Sequence, residues 1–461
     1  MHCTCKILQV FLLLGFSLTF IIKNNIILNS ERVFIMLQKP KGTYDIYGDR
    51  ALIQLYFRKL VEALMDKYNA KYIETPIFEA SELFHRGVGE TTDIVSKETY
   101  DFKDRGDRNL TLRPEGTAGV VRSFIENKLY AENLPLKLWY MGPMFRYERP
   151  QAGRYREFYQ FGVEAFGSDD PMMDADMIGV VVNLFNILGL KGVSVNINTL
   201  GDRESRESYR KALLEYFKPY LGDLCEDCQR RYEKNPLRIL DCKIDSGKEI
   251  MKNAPKMIDY LNEESKRHFD KVQEYLKAMG IDFKVNSNIV RGLDYYTHTV
   301  FEVQADIEGF GAQNTLAAGG RYDHLVEFVG GPSVPGVGFA VGLERLFLAL
   351  EAEGIDIRKR VYPDVYIFNA DEKQKPYVLA LANHLRLAGF NVEIDYKTRN
   401  FKSNFKRADK VRAKYIIIIG EEEVQNKFLT IKNNVTKDEY KVELDNLIEF
   451  LDEKLGDDDE D

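Results

Sequence analysis

Phe145-Arg146-Tyr147-Glu148-Arg149-Pro150-Gln151-Ala152-Gly153-Arg154-Tyr155-Arg156-Glu157-Phe158-Tyr159-Gln160-Phe161-Gly162-Val163-Glu164 reads as two strands around a polar loop. Strand side chains alternate between faces, so in the second strand Phe158, Gln160, Gly162 and Glu164 point one way while Tyr159, Phe161 and Val163 point the other. One face therefore combines an aromatic ring, an amide, a gap and a carboxylate. That set suits a purine and the carboxylate or ammonium of an amino acid, and the Arg146 guanidinium suits a phosphate. A hairpin with a wet face is the plain alternative, and it weakens as further segments of this kind occur on either side.

Upstream, Thr111-Leu112-Arg113-Pro114-Glu115-Gly116-Thr117 reads as a strand whose Arg113, Glu115 and Thr117 share one side. Residues 50–68 place Leu52, Leu55, Tyr56, Leu60, Ala63 and Leu64 at helical spacing, which predicts an amphipathic helix. Tyr72-Ile73-Glu74-Thr75-Pro76 follows as a strand stopped by proline, which lacks a donor for the ladder and suits an edge or an interface.

Downstream, Arg291-Gly292-Leu293-Asp294-Tyr295-Tyr296-Thr297 sets an arginine before two phenols able to hydrogen-bond a polar ring. Ala317-Ala318-Gly319-Gly320-Arg321-Tyr322-Asp323 has paired glycines that permit close backbone approach. Gly336-Val337-Gly338-Phe339-Ala340-Val341-Gly342-Leu343-Glu344-Arg345 reads as strand then helix. Arg345 then falls in the helix's first turn, where a cation opposes the helix dipole and an anion would relieve it. Neither a G-x-x-x-x-G-K-[ST] loop nor a G-x-G-x-x-G opening a βαβ unit occurs, so bound ATP would be held by arginines.

The chain's 461 residues suggest roughly three folding units at about 150 residues each. With 44% hydrophobic and 30% charged residues, a core and a solvated surface are both available, which excludes a mostly disordered chain. Residues 203–283 are rich in charged helix formers and read as a helical insertion between strand-rich regions. After Arg358, strands at 365–368, 392–394 and 415–419 alternate with helices, predicting a separate α/β domain with a largely parallel sheet.

A net charge of −8 argues against nucleic acid, but the charge is uneven. Residues 452–461 form an acidic tail, whereas residues 397–414 carry Lys397, Arg399, Lys402, Lys406, Arg407, Lys410, Arg412 and Lys414 against Asp409 alone. That basic segment reads as a solvated helix face or as a surface for phosphate. The odd number of cysteines, five, does not suit a disulfide framework. Cys225 and Cys228 form a CxxC with Cys242 following, and without a fourth Cys or a close His we expect free thiols and assign no metal.

Residues 7–22 are an apolar run open to three readings: a signal-like segment, a membrane anchor, or translated sequence upstream of a natural start at Met36. The third is the expectation, because globular patterning begins just after Met36. Residues 1–35 are then an extension, and no membrane partner is expected.

The ordered set of residues 72–76, of residues 145–148 with their loop and strand, and of residues 336–345 resembles the three motifs of class II aminoacyl-tRNA synthetases. Residues 291–296 and 318–323 resemble the two signatures of the histidyl-tRNA synthetases, bacterial type, and Lys41-Gly42-Thr43-Tyr44-Asp45 adds to the likeness. The resemblance spans residues 39–451. It implies an α+β catalytic domain at residues 36–358, with an antiparallel sheet flanked by helices and the insertion at about 203–283. An anticodon-binding domain at residues 363–451 and a homodimer built partly through the first motif are implied as well; the expected cytoplasmic location rests instead on the odd cysteine count, which suits a reducing compartment.

The implied reaction joins L-histidine to tRNA(His) by way of a histidyl-adenylate, with ATP as substrate and Mg2+ accompanying it. Carried over residue by residue, Arg146 should hold the α-phosphate, Arg345 the γ-phosphate, and Arg291 the reacting phosphoryl group. Glu148 and Phe158 should join the ATP site. Glu115, Gly116 and Thr117 should surround the histidine ammonium, with Gln160 near its carboxylate. Glu164 and Tyr296 should read the imidazole nitrogens beside Tyr295. Lys406 and Arg407 should meet tRNA. The alternative from another class is a regulatory subunit of ATP phosphoribosyltransferase, which shares the fold but usually lacks the C-terminal domain.

Overall fold

The computed structural model describes residues 26–29, 32–35, 37–89, 92, 94–240, 242, 244–289, 295–307, 314–358, 361–397 and 399–456. Residues 7–22, Met36 and Arg291 lie outside this set. No helix among the described residues is long and apolar enough to cross a membrane. The chain divides into two compact units, one ending at Arg358 and one following it.

The first unit is built on an eight-stranded sheet of β1 (Lys71–Tyr72), β2 (Leu136–Phe145), β3 (Glu157–Phe166), β4 (Val193–Thr199), β5 (Phe283–Val285), β6 (Thr297–Ala305), β7 (Thr315–Arg321) and β8 (Gly336–Gly342). Their order is β5-β4-β6-β7-β8-β3-β2-β1. The central pairs are antiparallel, as the resemblance implied, and the two edge strands β1 and β5 pair parallel.

Alternation divides the sheet's faces. Phe161, Val163 and Ala165 of β3 and Val337, Phe339 and Val341 of β8 enter one core. Four helices cover that face: α1 (Asp49–Lys67), α3 (Pro171–Ile187), α6 (Glu263–Ala278) and α7 (Leu343–Ala352). The other face is partly covered by α2 (Thr117–Glu126), which sends Val120, Val121 and Phe124 against Phe166 and Tyr322. The uncovered part of this face is where a cavity opens.

The α1 helix forms where the spacing places it, but its buried stripe is Phe57, Val61, Leu64 and Met65, and Leu55 is exposed. Phe57 meets Phe161 and Phe347, and aromatic packing sets the helix's rotation over the aliphatic pattern. Residues 113–117 correct the strand expectation. The strand ends at Leu112, and Glu115 accepts from the N–H groups of Thr117 and Ala118 at 2.7 and 2.8 Å, starting α2. Arg113, read as part of a charged face, is buried and donates to the carbonyls of Thr75 and Pro143, both at 2.8 Å. Of the proline-ended segment only Tyr72 forms a ladder pair, in a strand that begins one residue earlier at Lys71.

Between β4 and β5, α4 (Arg203–Phe217) and α5 (Glu226–Lys234) surround a small core of their own that includes Tyr209, Leu213, Phe217 and Ile239. Phe269, Val272 and Leu276 of α6 instead enter the main core. A buried ion pair joins α3 to the end of β7: Asp174 and Arg321 are both fully buried. Burial alone would raise the Asp174 carboxyl, but Arg321 outweighs it and holds the group well below the usual carboxylate range.

The second unit has five strands: β9 (Val365–Asn369), β10 (Val392–Ile394), β11 (Tyr415–Ile419), β12 (Phe428–Asn433) and β13 (Glu439–Glu443), ordered β10-β9-β11-β12-β13. The three strands read from sequence are parallel, and the remaining two form an antiparallel hairpin on β11. Val365 and Ile367 face α8 (Lys375–Leu387) and α10 (Leu447–Gly456), while Tyr366 and Phe368 face α9 (Phe401–Val411). Burial on both faces explains the continuous apolar runs. The acidic C-terminal run begins on α10, with Leu455 still in the core.

Candidate active site

A cavity of about 320 Å3 lies on the open face of the eight-stranded sheet. Its floor follows from the sequence of β8: the alternation that sends Val337, Phe339 and Val341 into the core leaves Gly338, Ala340 and Gly342 facing the cavity. Small residues on one face of a strand make room above it. The glycines of this strand therefore serve as floor, and the positive charge comes from side chains around it.

At one end Arg146, Arg154 and Arg345 converge with Glu148. Arg146 is held by donation from its Nε to the Pro114 carbonyl at 2.9 Å, and its guanidinium lies 5.2 Å from the Phe158 ring centre. Arg345 donates to the Thr315 carbonyl at 3.1 Å. Burial pulls the Arg345 pKa down, and nearby Arg154 and Arg146 push the same way against Glu148. Glu148 pairs with Arg154 at 3.0 Å. Three guanidiniums fixed together around a cavity form a preorganised anion site. The Gln160 side chain lies on the same wall, and its buried Oε1 has no hydrogen-bond partner among the described residues.

At the other end the groups are hydroxyls and carboxylates. Glu164, fully buried, accepts from Thr117 Oγ1 at 2.7 Å, from Tyr140 OH at 3.3 Å and from Tyr322 OH. Burial pushes its pKa up to about 8 in spite of these bonds. Burial likewise raises Glu115, and it raises Tyr140, Tyr295 and Tyr322 well above the usual phenol range. Tyr295 and Tyr296 lie with ring centres 4.7 Å apart on the cavity wall.

Two glycines make this end possible. A Cβ on Gly116 would meet the Tyr140 ring at 2.2 Å, and a Cβ on Gly338 would stand 1.9 Å from Glu164 Oε2. Gly338 is the register partner of Glu164, so the missing side chain is what gives the carboxylate its space. Arg321, pinned to Asp174, fixes the backbone beside Tyr322 and so aims that hydroxyl at Glu164.

Of the residues read from sequence, Glu115, Thr117, Arg146, Glu148, Phe158, Gln160, Tyr295, Tyr296 and Arg345 line this one cavity. Gly116 and Glu164 stand directly behind it, with Tyr140 between them. Arg291 lies outside the described residues. Lys406 and Arg407 belong to α9 in the second unit, where Lys406 is exposed and Arg407 pairs with Glu393 at 3.2 Å.

Sequence reasoning missed Tyr140, which the hairpin register would have placed opposite Gly162. It gave Tyr322, Arg154, Glu302 and Thr315 no role, although all four are on the cavity wall. It also missed the brace beneath the wall, where Glu344 accepts from Tyr44 OH and from the Tyr159 N–H. That brace ties residues 41–45 to the site, as does the 2.8 Å bond from Arg156 N to the Gly42 carbonyl.

An antiparallel sheet whose open face gathers arginines beside a hydroxyl-lined carboxylate, with no glycine-rich phosphate loop, is the catalytic unit of a class II aminoacyl-tRNA synthetase. The family model for histidyl-tRNA synthetase matches residues 52–346, and that for an anticodon binding domain matches residues 364–454. The chain is 51% identical over 415 residues to the histidine–tRNA ligase of Anoxybacillus flavithermus, covering 90% of this chain and 98% of that protein. It is 50% identical over 420 residues to that of Bacillus cytotoxicus, at 91% and 99%. The apo histidyl-tRNA synthetase of S. aureus superposes with a TM-score of 0.78 at 42% identity, covering 90% of this chain and all of that one. The chain belongs to the histidyl-tRNA synthetase family.

Proposed function

We propose that the chain ligates L-histidine to tRNA(His) in the cytoplasm, with ATP held at one end of the cavity and histidine at the other so that the carboxylate and the α-phosphate meet between them. A histidine carboxylate oxygen attacks the α-phosphorus of ATP, the bond to the β-phosphate breaks, and pyrophosphate leaves. A ribose hydroxyl of the terminal adenosine of tRNA then attacks the histidyl carbonyl, loses its proton and displaces AMP. The observation that carries this reading is one cavity with Arg146, Arg154 and Arg345 at one end and, directly behind its other end, Glu164 under three hydroxyls.

Arg146 holds the α-phosphate and Arg345 the γ-phosphate, and their charge is fixed before the reaction begins. Arg291 is assigned to the reacting phosphoryl group on its sequence motif alone. Phe158, beneath Arg146, offers a face for adenine. Glu148 and Glu302 face the same arginines, and as hard oxygen donors they fit Mg2+, which when bound neutralises phosphate charge.

Glu115 and Thr117 take the ammonium, with the Gly116 backbone between them, and the Gln160 amide meets the carboxylate. Glu164 accepts from one imidazole nitrogen while Tyr296 meets the other, with Tyr295 packed alongside. An apolar side chain of equal size would leave these buried groups unpaired, which is the basis of the selectivity.

We assign Lys406 and Arg407 to tRNA contact, and the presence of the second unit favours the synthetase over a regulatory subunit. A homodimer is supported by exposed apolar residues around the first motif: Tyr72, Ile77, Phe78 and Phe102. Transfer of labelled histidine to tRNA(His), with ATP and Mg2+ present, tests the reading. A folded protein that binds histidine yet charges no tRNA would point to the regulatory role instead.

A further inference from the structure

Cys225, Cys228, Cys242 and Asp245 come together in the region between β4 and β5, away from the cavity. One donor atom from each lies within 4.8 Å of all the others. The Cys225 and Cys242 sulfurs are 3.6 Å apart, and Asp245 Oδ2 is 3.8 Å from the Cys242 sulfur. Zn–S bonds of about 2.3 Å in a tetrahedron put neighbouring donors roughly 3.8 Å apart. The thiols are free, with no disulfide among them.

We propose that this cluster is a structural zinc site with three thiolate ligands and one carboxylate. The spacing is that of two matching knuckles, Cys225-x-x-Cys228 and Cys242-x-x-Asp245, with aspartate standing where a fourth cysteine would. The first knuckle opens α5, with Cys225 at its N-cap. The second is a turn in which Ser246 N donates to the Cys242 carbonyl at 2.9 Å.

Asp245 is fully buried and its two oxygens have different tasks. Oδ1 pairs with Lys248 at 2.7 Å, while Oδ2 accepts from Cys225 N at 3.0 Å and faces the sulfurs. A carboxylate held by one oxygen and presented by the other is an oriented ligand. Four donors of mixed sulfur and oxygen type, three buried and Cys225 partly so, fill a tetrahedral set and fit a structural site for zinc with no open position for catalysis.

The fold explains why a metal is of use here. The local core contains Tyr209, Leu213, Phe217, Leu224, Ile239 and Met257, with Cys228 and Cys242 as its remaining fully buried members. A core this small benefits from a metal staple, and binding free energy there is folding free energy.

Metal analysis of the full-length chain, expressed with zinc in the medium and purified without chelator, tests the proposal. About one zinc per chain is expected, and cobalt(II) in its place should show the intense visible bands and thiolate charge transfer of tetrahedral coordination. Cys242→Ser and Asp245→Ala should each weaken zinc affinity at least about tenfold. If either variant fails to fold, the metal content and cobalt spectrum of the unaltered chain decide the matter. Substoichiometric zinc with all three thiols open to a thiol reagent in the folded protein, or a Cys225 to Cys242 disulfide found by mass spectrometry, overturns it.

Discussion

Three hydroxyl groups, from Thr117, Tyr140 and Tyr322, converge on the Glu164 carboxylate, yet burial still pushes its pKa up to about 8. An ordinary glutamate titrates near 4.3, so this group holds its proton more tightly in the folded chain than in the unfolded one. Its contribution to stability is therefore full below about pH 4.3 and is lost as pH rises toward about 8. Glu164→Gln keeps the shape without the titration. Unfolding temperatures of the variant should decline less across that window than those of the parent, and identical pH profiles would show that Glu164 is already ionised when folded. The same variant should use histidine roughly 10- to 100-fold less well, the equivalent of about 1–3 kcal/mol for a buried group left mispaired.

At the scale of elements, the residues 145–164 hairpin was legible because its two faces differ: aromatic and aliphatic residues alternate with polar ones, and β3 turned them as the period requires. Strand then helix at residues 336–345 was legible for the same reason, although nothing in the sequence marked its glycines as the cavity floor. Arg113, Glu115 and Thr117 alternate as a strand would, and only the capping bonds of Glu115 reveal a helix start. The β12–β13 hairpin was not legible because its lysines, glutamates and asparagine break the apolar run that marked the parallel strands. Asp245 gave no signal because a fourth ligand beside three cysteines is ordinarily cysteine or histidine. One element-scale consequence is sharp. In Gly338→Ala the new Cβ would stand 1.9 Å from Glu164 Oε2 and 2.6 Å from the Val163 carbonyl, so β8 and β3 must shift apart. A loss of about 1–3 kcal/mol is expected from the denaturation midpoint of the catalytic unit. An unchanged midpoint would mean the strands absorb the methyl without moving.

At the scale of the whole molecule, a chain of net charge −8 handles a polyanion by confining positive charge to chosen places. In the second unit the basic segment is partly neutralised from within: Arg399 pairs with Asp395 and Arg407 with Glu393, while Arg412 is held by donation to the Tyr362 hydroxyl. Exposed Lys402, Lys406 and Lys410 on α9 carry the remaining field. The Arg407 pair is half-exposed and so worth little by itself, leaving the guanidinium available to phosphate. Lys406→Ala with Arg407→Ala should weaken tRNA binding and flatten its salt dependence. The slope of log affinity against log salt should fall by about one for each phosphate no longer neutralised. Binding unchanged at every salt concentration would place the tRNA surface elsewhere.

One cavity activates one amino acid, and amino-acid-dependent exchange of labelled pyrophosphate into ATP measures that directly, without tRNA. Offered the twenty amino acids in turn, the protein should support exchange with histidine alone, and Arg345→Ala should lower it by about 10²- to 10³-fold while leaving the fold intact. Exchange with another amino acid, or none with any from folded protein, would contradict the assignment of the Glu164 end to imidazole and of the arginine end to ATP.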